Sequence, residues 1–314
     1  MTQQPPNDEF PNLSDLVDES IWYKPPTAAR RMLIVYAHPD DESFGNAGTI
    51  ARYTSAGVDV HYACATRGEC GEMDPKLLEG YADIAARRTA ELRAAAEAIQ
   101  LSSIHFLGYR DSGMQGSEAN QHPLAYCNAD IQRAAGQVVG LIRALRPQVV
   151  LTFNPYGGYG HPDHIMAHRA TVAAFQAAAN PTLYPEQVAT GLEPWQPQKL
   201  YYSTFGAGFI RAAIRIMPLF GRDPRRFGTN QDVDLTKIAG EITPTTTRVN
   251  SAAFLAQKEK AWDAHASQTS GRGVLGRLPA PVRSQIYAGE SFTRVVPAWA
   301  GGPRERDLFA GVNA

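Results

Sequence analysis

MLIVYAHPDDESFGNAGTI, residues 32–50, joins a wholly apolar run to a histidine, a proline and three consecutive acids. Six apolar residues without alternation suit a parallel strand covered on both faces by helices. Pro39 blocks continuation of such a strand and bends the backbone. Open parallel sheets bind ligands beyond the carboxyl ends of their strands, which is where His38, Asp40 and Asp41 fall. The acids have a competing explanation, because Asp at a helix start accepts backbone N–H groups and suits the helix dipole.

Outward from this stretch the chain alternates. Residues 46–56 read as a short helix, closed by Gly57 before the strand VDVHYACAT. Residues 81–100, rich in Ala, Leu, Arg and Glu, read as a long helix, and IHFLGY as the third strand. Residues 128–145 form an amphipathic helix that Pro147 ends before the strand QVVLTF. HPDHIMAHRATVAAFQAAA is then helix and KLYYSTF the fifth strand. This repetition predicts an α/β fold: a Rossmann-like, doubly wound, mostly parallel sheet with right-handed crossovers over residues 31–205. Residues 1–30, with five prolines, read as an irregular N-terminal arm. Residues 206–314 read as a C-terminal α+β extension that packs on the core and helps form the pocket. Within it RRFGTNQDVDLTKI suggests loop then strand, VNSAAFLAQKEKAWDAHASQ a helix and GESFTRVV an edge strand.

The totals exclude several function classes. At 314 residues the chain can bury a full core, and a formal charge of −1 offers no basic excess for nucleic acid. Three cysteines with no CxxC pair argue against a disulfide framework and fit a reducing, cytoplasmic setting. The N-terminus lacks a signal peptide's basic start and apolar core, and no stretch is apolar for the roughly 18 residues a membrane helix needs. A small-molecule substrate is therefore expected, with no nucleic-acid and no membrane partner; a homo-oligomer is compatible with everything above.

A second cluster decides between capping and chemistry. NPYGGYGHPDHIMAH, residues 154–168, again places HPD after a strand. Neighbouring parallel strands deliver their C-terminal loops to one edge of the sheet, so His161, Asp163 and His164 can meet His38 and Asp41. His38, Asp41 and His164 supply a two-histidine, one-carboxylate set that leaves positions open for water and substrate, as catalytic zinc sites do. Fe2+ or another divalent ion tolerates the same ligands. Asp40 is left over as a proton acceptor, and His161 as a cation or proton donor toward a developing oxyanion or leaving amine. His168 follows His164 at i+4, but Ile165 stands where the HExxH metalloprotease motif needs Glu, so His168 reads as packed.

With these residues placed, the chain resembles the zinc-dependent deacetylases of the LmbE/PIG-L type, which remove acetyl from N-acetylglucosamine-bearing small molecules. AHPDDE at 37–42 and HPDH at 161–164 resemble that family's two signatures. TRGECGE at 66–72, RTAEL at 88–92 and KEKAWDAHASQ at 258–268 are similar to weaker ones. GYRDSGM at 108–114 resembles a segment of the mycothiol-pathway deacetylases and amidases. The resemblance implies His38, Asp41 and His164 as zinc ligands, Asp40 as general base, and Tyr159 as the group that polarises the carbonyl oxygen.

Amide hydrolysis needs an activated water, an oxyanion stabiliser and a proton donor, and this inventory contains all three. Asp163 is expected to hold His161 oriented and charged. Arg88 and Asp111 are candidate sugar contacts, a forked donor and an acceptor for vicinal hydroxyls, and Glu69 is a loop acid that could orient a ligand. The expected activity is removal of acetyl from an N-acetylglucosaminyl small molecule. The alternative is an amidase that cleaves a mycothiol-type thiol conjugate at the same metal site.

Overall fold

Residues Arg31–Tyr36 form β1, and Met32 through Tyr36 are at most 1% exposed. Burying side chains of this size contributes about 1.5–3 kcal/mol each, so the apolar run fixes the middle of the sheet. The computed structural model describes residues 26–227, 231, 233–269 and 279–313, so most of the expected N-terminal arm lies outside the described residues.

Strands and helices alternate after β1: α1 (Asp41–Ser55), β2 (Asp59–Thr66), α2 (Ile84–Ile99), β3 (Ser103–Tyr109), α3 (Ile131–Leu145), β4 (Val149–Phe153), α4 (Pro162–Ala177) and β5 (Lys199–Thr204). Side-chain caps set the helix starts. Asp83 accepts from Ala86 N–H and Asp130 from Arg133 N–H, so α2 and α3 each begin a few residues later than their composition suggested. The chain continues through α5 (Ala207–Ile216), α6 (Leu235–Glu241), β6 (Thr247–Asn250), α7 (Leu255–Ala264), α8 (Ala280–Tyr287) and β7 (Gly289–Val296).

The sheet order is β3-β2-β1-β4-β5-β7-β6. The first five strands in this order pair in parallel, while β7 runs antiparallel to both β5 and β6. Chain order reverses between β1 and β4, which pair directly through Met32–Val149, Leu33–Val150 and Ile34–Leu151. Such a reversal opens a crevice at the carboxyl ends of the two strands, because their crossover helices leave to opposite faces. The two HPD segments leave β1 and β4 at this crevice.

Four local expectations change. In VNSAAFLAQKEKAWDAHASQ, expected as helix, Val249 and Asn250 end β6 and the helix spans only Leu255–Ala264. GESFTRVV is an interior strand between β5 and β6, and β6 is the edge. In RRFGTNQDVDLTKI the described residues give a bridge between Phe227 and Val233 and then α6, where Asp234 accepts from the N–H groups of Thr236 and Lys237. That cap converts an apparently alternating run into helix. Finally, α1 begins at Asp41 rather than at residue 46, so the acids stand at its first turn.

Candidate active site

Asp40 occupies the N-cap position of α1 but makes no capping hydrogen bond with its side chain. Its φ of 131° is a region that residues with a Cβ rarely adopt, and the surroundings hold it there. Its N–H donates to Glu42 Oε2 at 3.1 Å, and Glu42 Oε1 meets His265 Nε2 at 2.7 Å, both side chains fully buried. Arg88 closes the other side. Its Nη2 donates to Asp40 Oδ2 at 2.9 Å and to the Pro39 carbonyl at 2.7 Å, and its Nη1 to the Gly68 carbonyl at 3.1 Å. A Cβ on Gly68 would lie 2.1 Å from Arg88 Nη1, which explains the glycine in TRGECGE. Burial raises Asp40 to about 7; Arg88 pulls it down and Asp41 pushes it up. A carboxylate in that range suits proton transfer near neutrality.

Asp41 turns the other way. Its Oδ2 accepts from His38 N–H at 2.7 Å and Ala37 N–H at 3.2 Å, which leaves Oδ1 3.3 Å from His164 Nε2. His38 Nδ1 lies 3.1 Å from His164 Nε2 and 3.6 Å from Asp41 Oδ2. His164 arrives at the start of α4, with its ring stacked on Phe153 at 3.9 Å and its Nδ1 3.1 Å from the Gly157 carbonyl. Gly157 has φ 67°, and a Cβ there would meet His164 Cβ at 2.8 Å, so only glycine lets the loop approach this closely.

These contacts test whether a cation fits. The Gly157 carbonyl takes the Nδ1 proton of His164, and Asp163 Oδ2, 3.2 Å from His38 Nε2, takes a proton there. The nitrogens that remain, His38 Nδ1 and His164 Nε2, face each other and the Asp41 carboxylate with their lone pairs. Such a meeting requires positive charge between them. In the polypeptide, burial would lower His38, but Asp111, Asp163 and Asp41 outweigh it and hold the ring well above its ordinary value. Burial alone would raise Asp41, yet His164 and His38 hold it well below the usual carboxylate range, while burial lowers His164 to about 4 against the pull of Asp41. The 3.1 Å between His38 Nδ1 and His164 Nε2 also matches the roughly 3.3 Å edge of a tetrahedron around an ion bound at about 2 Å, and Asp41 turns Oδ2 toward His38 and Oδ1 toward His164. The donor set therefore fits a divalent metal.

His161 caps α4 by accepting the Asp163 N–H on its Nδ1, so its proton sits on Nε2. Burial, then His38 and His164, hold it well below its ordinary value, which favours the neutral ring with its N–H at Nε2 over the cation. Asp163 is not the partner of the His161 ring that the sequence suggested. It faces His38, and its other bonds come from the Ser112 N–H at 2.9 Å and from Ser112 Oγ. Burial and Asp41 raise Tyr159, whose phenol stays protonated, with its ring 4.9 Å from that of His164.

Asp40, Asp41, Tyr159 and His164 line one cavity of about 900 Å³, which extends to residues of α5, β6 and β7. Arg88, Asp111 and Glu69, expected as sugar contacts, do not line it; His38 and His161 also stand behind its lining, but with their rings 4.5 Å apart and that of His161 5.0 Å from the His164 ring that does line it. Asp111 Oδ1 lies 3.5 Å from His38 Nε2, and its N–H donates to Glu69 Oε2 at 3.0 Å, so both acids support the histidine from behind. His168 bonds the Phe153 carbonyl at 3.0 Å, away from the cluster. Sequence reasoning missed Ser112 and Glu42, although both lie inside quoted motifs, DSGM and HPDDE.

The family model PIG-L, described as GlcNAc-PI de-N-acetylase, matches residues 33–175. A 1D-myo-inositol 2-acetamido-2-deoxy-alpha-D-glucopyranoside deacetylase from Streptomyces avermitilis is 37% identical over 297 residues, covering 90% of this chain and 97% of the relative. Among solved structures, N,N'-diacetylchitobiose deacetylase from Pyrococcus horikoshii superposes with a TM-score of 0.57 at 20% identity, over 86% of this chain and 85% of that one. The 4-carboxy-2-hydroxymuconate hydratase from Pseudomonas putida gives 0.53 at 18% identity, over 87% and 99%. These two structures share the fold; that one is a hydratase shows that the fold alone does not fix the reaction.

Proposed function

The chain belongs to the PIG-L family, and from that premise we propose that it is a metal-dependent hydrolase removing acetyl from an N-acetylglucosaminyl small molecule. The activity in the Streptomyces relative's name supports the substrate class. The observation that carries the reading is the approach of His38 Nδ1, Asp41 and His164 Nε2 to within 3.1 to 3.6 Å of one another, with Asp40 lining the same cavity as Asp41 and His164.

His38, Asp41 and His164 would hold the ion, which we take to be zinc; Fe2+ accepts the same set. When bound, such an ion polarises the amide carbonyl and makes water acidic enough to lose a proton near neutrality. Asp40 takes that proton as water attacks, and returns it to the nitrogen as the C–N bond breaks, giving a free amine and acetate. Tyr159 O–H and His161 Nε2–H donate to the oxygen as it gains charge, where one such donor is worth about 10²–10³ in turnover. Asp163, held by Ser112, fixes the His38 ring through Nε2. We assign Arg88, Asp111 and Glu69 to holding Asp40 and His38 in place, not to the sugar.

The test is acetate release from N-acetylglucosaminyl glycosides, including the inositol glycoside, by zinc-loaded protein. Release that needs the metal supports the reading, and none from any of them refutes it. The cavity volume of about 900 Å³ favours a second reading as well, since it admits more than a disaccharide: an amidase acting on a thiol conjugate at the same centre. Free thiol-bearing product without acetate would select that reading.

A further inference from the structure

The segment 207–227, AGFIRAAIRIMPLFGRDPRRF, carries five arginines and one acid, while the whole chain has a formal charge of −1. Its first part, α5, has two faces. Ile210 is buried with Leu235 and Ile238 of α6, and Ala213, Ile214 and Met217 pack beside it together with Tyr156 and Tyr159. The opposite face carries Arg211, Arg215 and Ile216, and leads into a turn of 3₁₀ helix, Met217–Phe220, that Gly221 ends with φ 69°. At that turn Leu219 is 80% exposed and Phe220 77%, and Ile216 is 49% exposed. The single acid, Asp223, is already paired with Arg225 at 3.1 Å. Asp223 also faces Arg226, which leaves the exposed apolar tip flanked by Arg215 and Arg222 with no carboxylate of the segment against them.

We propose that this tip, Ile216, Leu219 and Phe220 with the arginines around it, docks the protein on an anionic membrane surface. Apolar side chains that enter the acyl boundary while guanidinium groups remain at the headgroups are the pattern of interfacial helices. Nucleic acid would use the arginines but leave Leu219 and Phe220 in water. A protein partner or second copy would be met by a broad apolar face rather than by two consecutive side chains at a turn. Among the described residues no helix is long and apolar enough to cross a membrane, so the contact is peripheral. It departs from the expectation of no membrane partner, which rested on the lack of a spanning segment. Because Phe205 to Gly208 and Arg211 line the catalytic cavity, docking brings the cavity wall to the leaflet.

The experiment is flotation of the full-length, zinc-loaded protein with vesicles of phosphatidylcholine alone or mixed with phosphatidylglycerol. Binding is expected only with the anionic lipid and should fade as salt rises. Neutralising arginines (Arg215→Gln, Arg222→Gln) should weaken partition about five-fold for each charge. Leu219→Ser with Phe220→Ser should weaken it at least about ten-fold, with thermal unfolding unchanged. Failure to float with anionic vesicles, or variants that float like the parent, overturns the proposal. So does a Phe220-dependent dimer that forms in place of vesicle binding. None of these outcomes bears on the deacetylase reading.

Discussion

Arg88 donates from Nη2 to Asp40 Oδ2 at 2.9 Å and, from the same nitrogen, to the Pro39 carbonyl at 2.7 Å. One guanidinium therefore fixes both the carboxylate and the bend that presents it. Arg88→Lys keeps the charge and loses the fork. Turnover should fall about 10²-fold from misplacement of Asp40, with bound zinc unchanged. A kcat equal to the parent's would show that Asp40 is held by other groups.

Asp40→Asn removes the proton acceptor but leaves all three proposed ligands. Turnover should drop about 10²–10⁴-fold while the metal stays at parental affinity. His164→Ala should lose metal and turnover together. Zinc titration monitored by calorimetry separates the two outcomes, and near-parental activity of Asp40→Asn would remove Asp40 from its role.

Gly157→Ala sets a Cβ 2.8 Å from His164 Cβ at φ 67°. The loop must retreat, taking the carbonyl that orients the His164 ring with it. We expect weaker zinc binding and a stability loss of about 1–3 kcal/mol. Unchanged zinc affinity would mean that the loop does not orient the ring.

Two buried histidines outside the site predict how stability follows pH. His61 Nδ1 and His105 Nε2 both lie 2.7 Å from Ser103 Oγ. Burial lowers His61 from 6.5 to about 4 and His105 to about 3. The unfolded chain thus binds protons below 6.5 that the folded chain refuses until about 4, and stability falls as pH drops through that window. For one such histidine the loss between pH 7 and 5 is about 2 kcal/mol. Urea unfolding at the two pH values should show a shallower fall in His61→Gln; an equal fall would place the proton uptake elsewhere.

The core of the fold was legible because β1 and the helices after it carry period and composition that burial enforces locally. Legible too were His38, Asp40, Asp41, His161 and His164 as one cluster, since parallel strands must deliver their loops to one edge. The chemistry of His161 and Asp163 was not: which ring nitrogen keeps its proton depends on an Asp163 N–H and on Ser112, neither visible as a spacing. Arg88 and Asp111 have side chains suited to sugars, and only the folded structure reveals that the Arg88 terminal nitrogens already bond Asp40, Pro39 and Gly68 and that Asp111 already accepts from the Cys70 and Gly113 N–H groups. GESFTRVV alternates as an edge strand would, and its interior place follows from β6 adding outside it. The tip at Leu219 and Phe220 was unread because exposure of apolar side chains cannot be seen in a pattern.

Anomalous diffraction at the zinc edge from crystals of zinc-loaded protein locates the ion that His38, Asp41 and His164 would share. A single strong peak is expected about 2 Å from His38 Nδ1, His164 Nε2 and an Asp41 oxygen. Among the described residues, two other buried groups offer competing donor atoms within 4.8 Å of one another: His38 with His161 and His164, and, on the far side of the His38 ring, His38 with Asp111, His161 and Asp163. A peak there, on the Nε2 side of His38, would contradict the shared site.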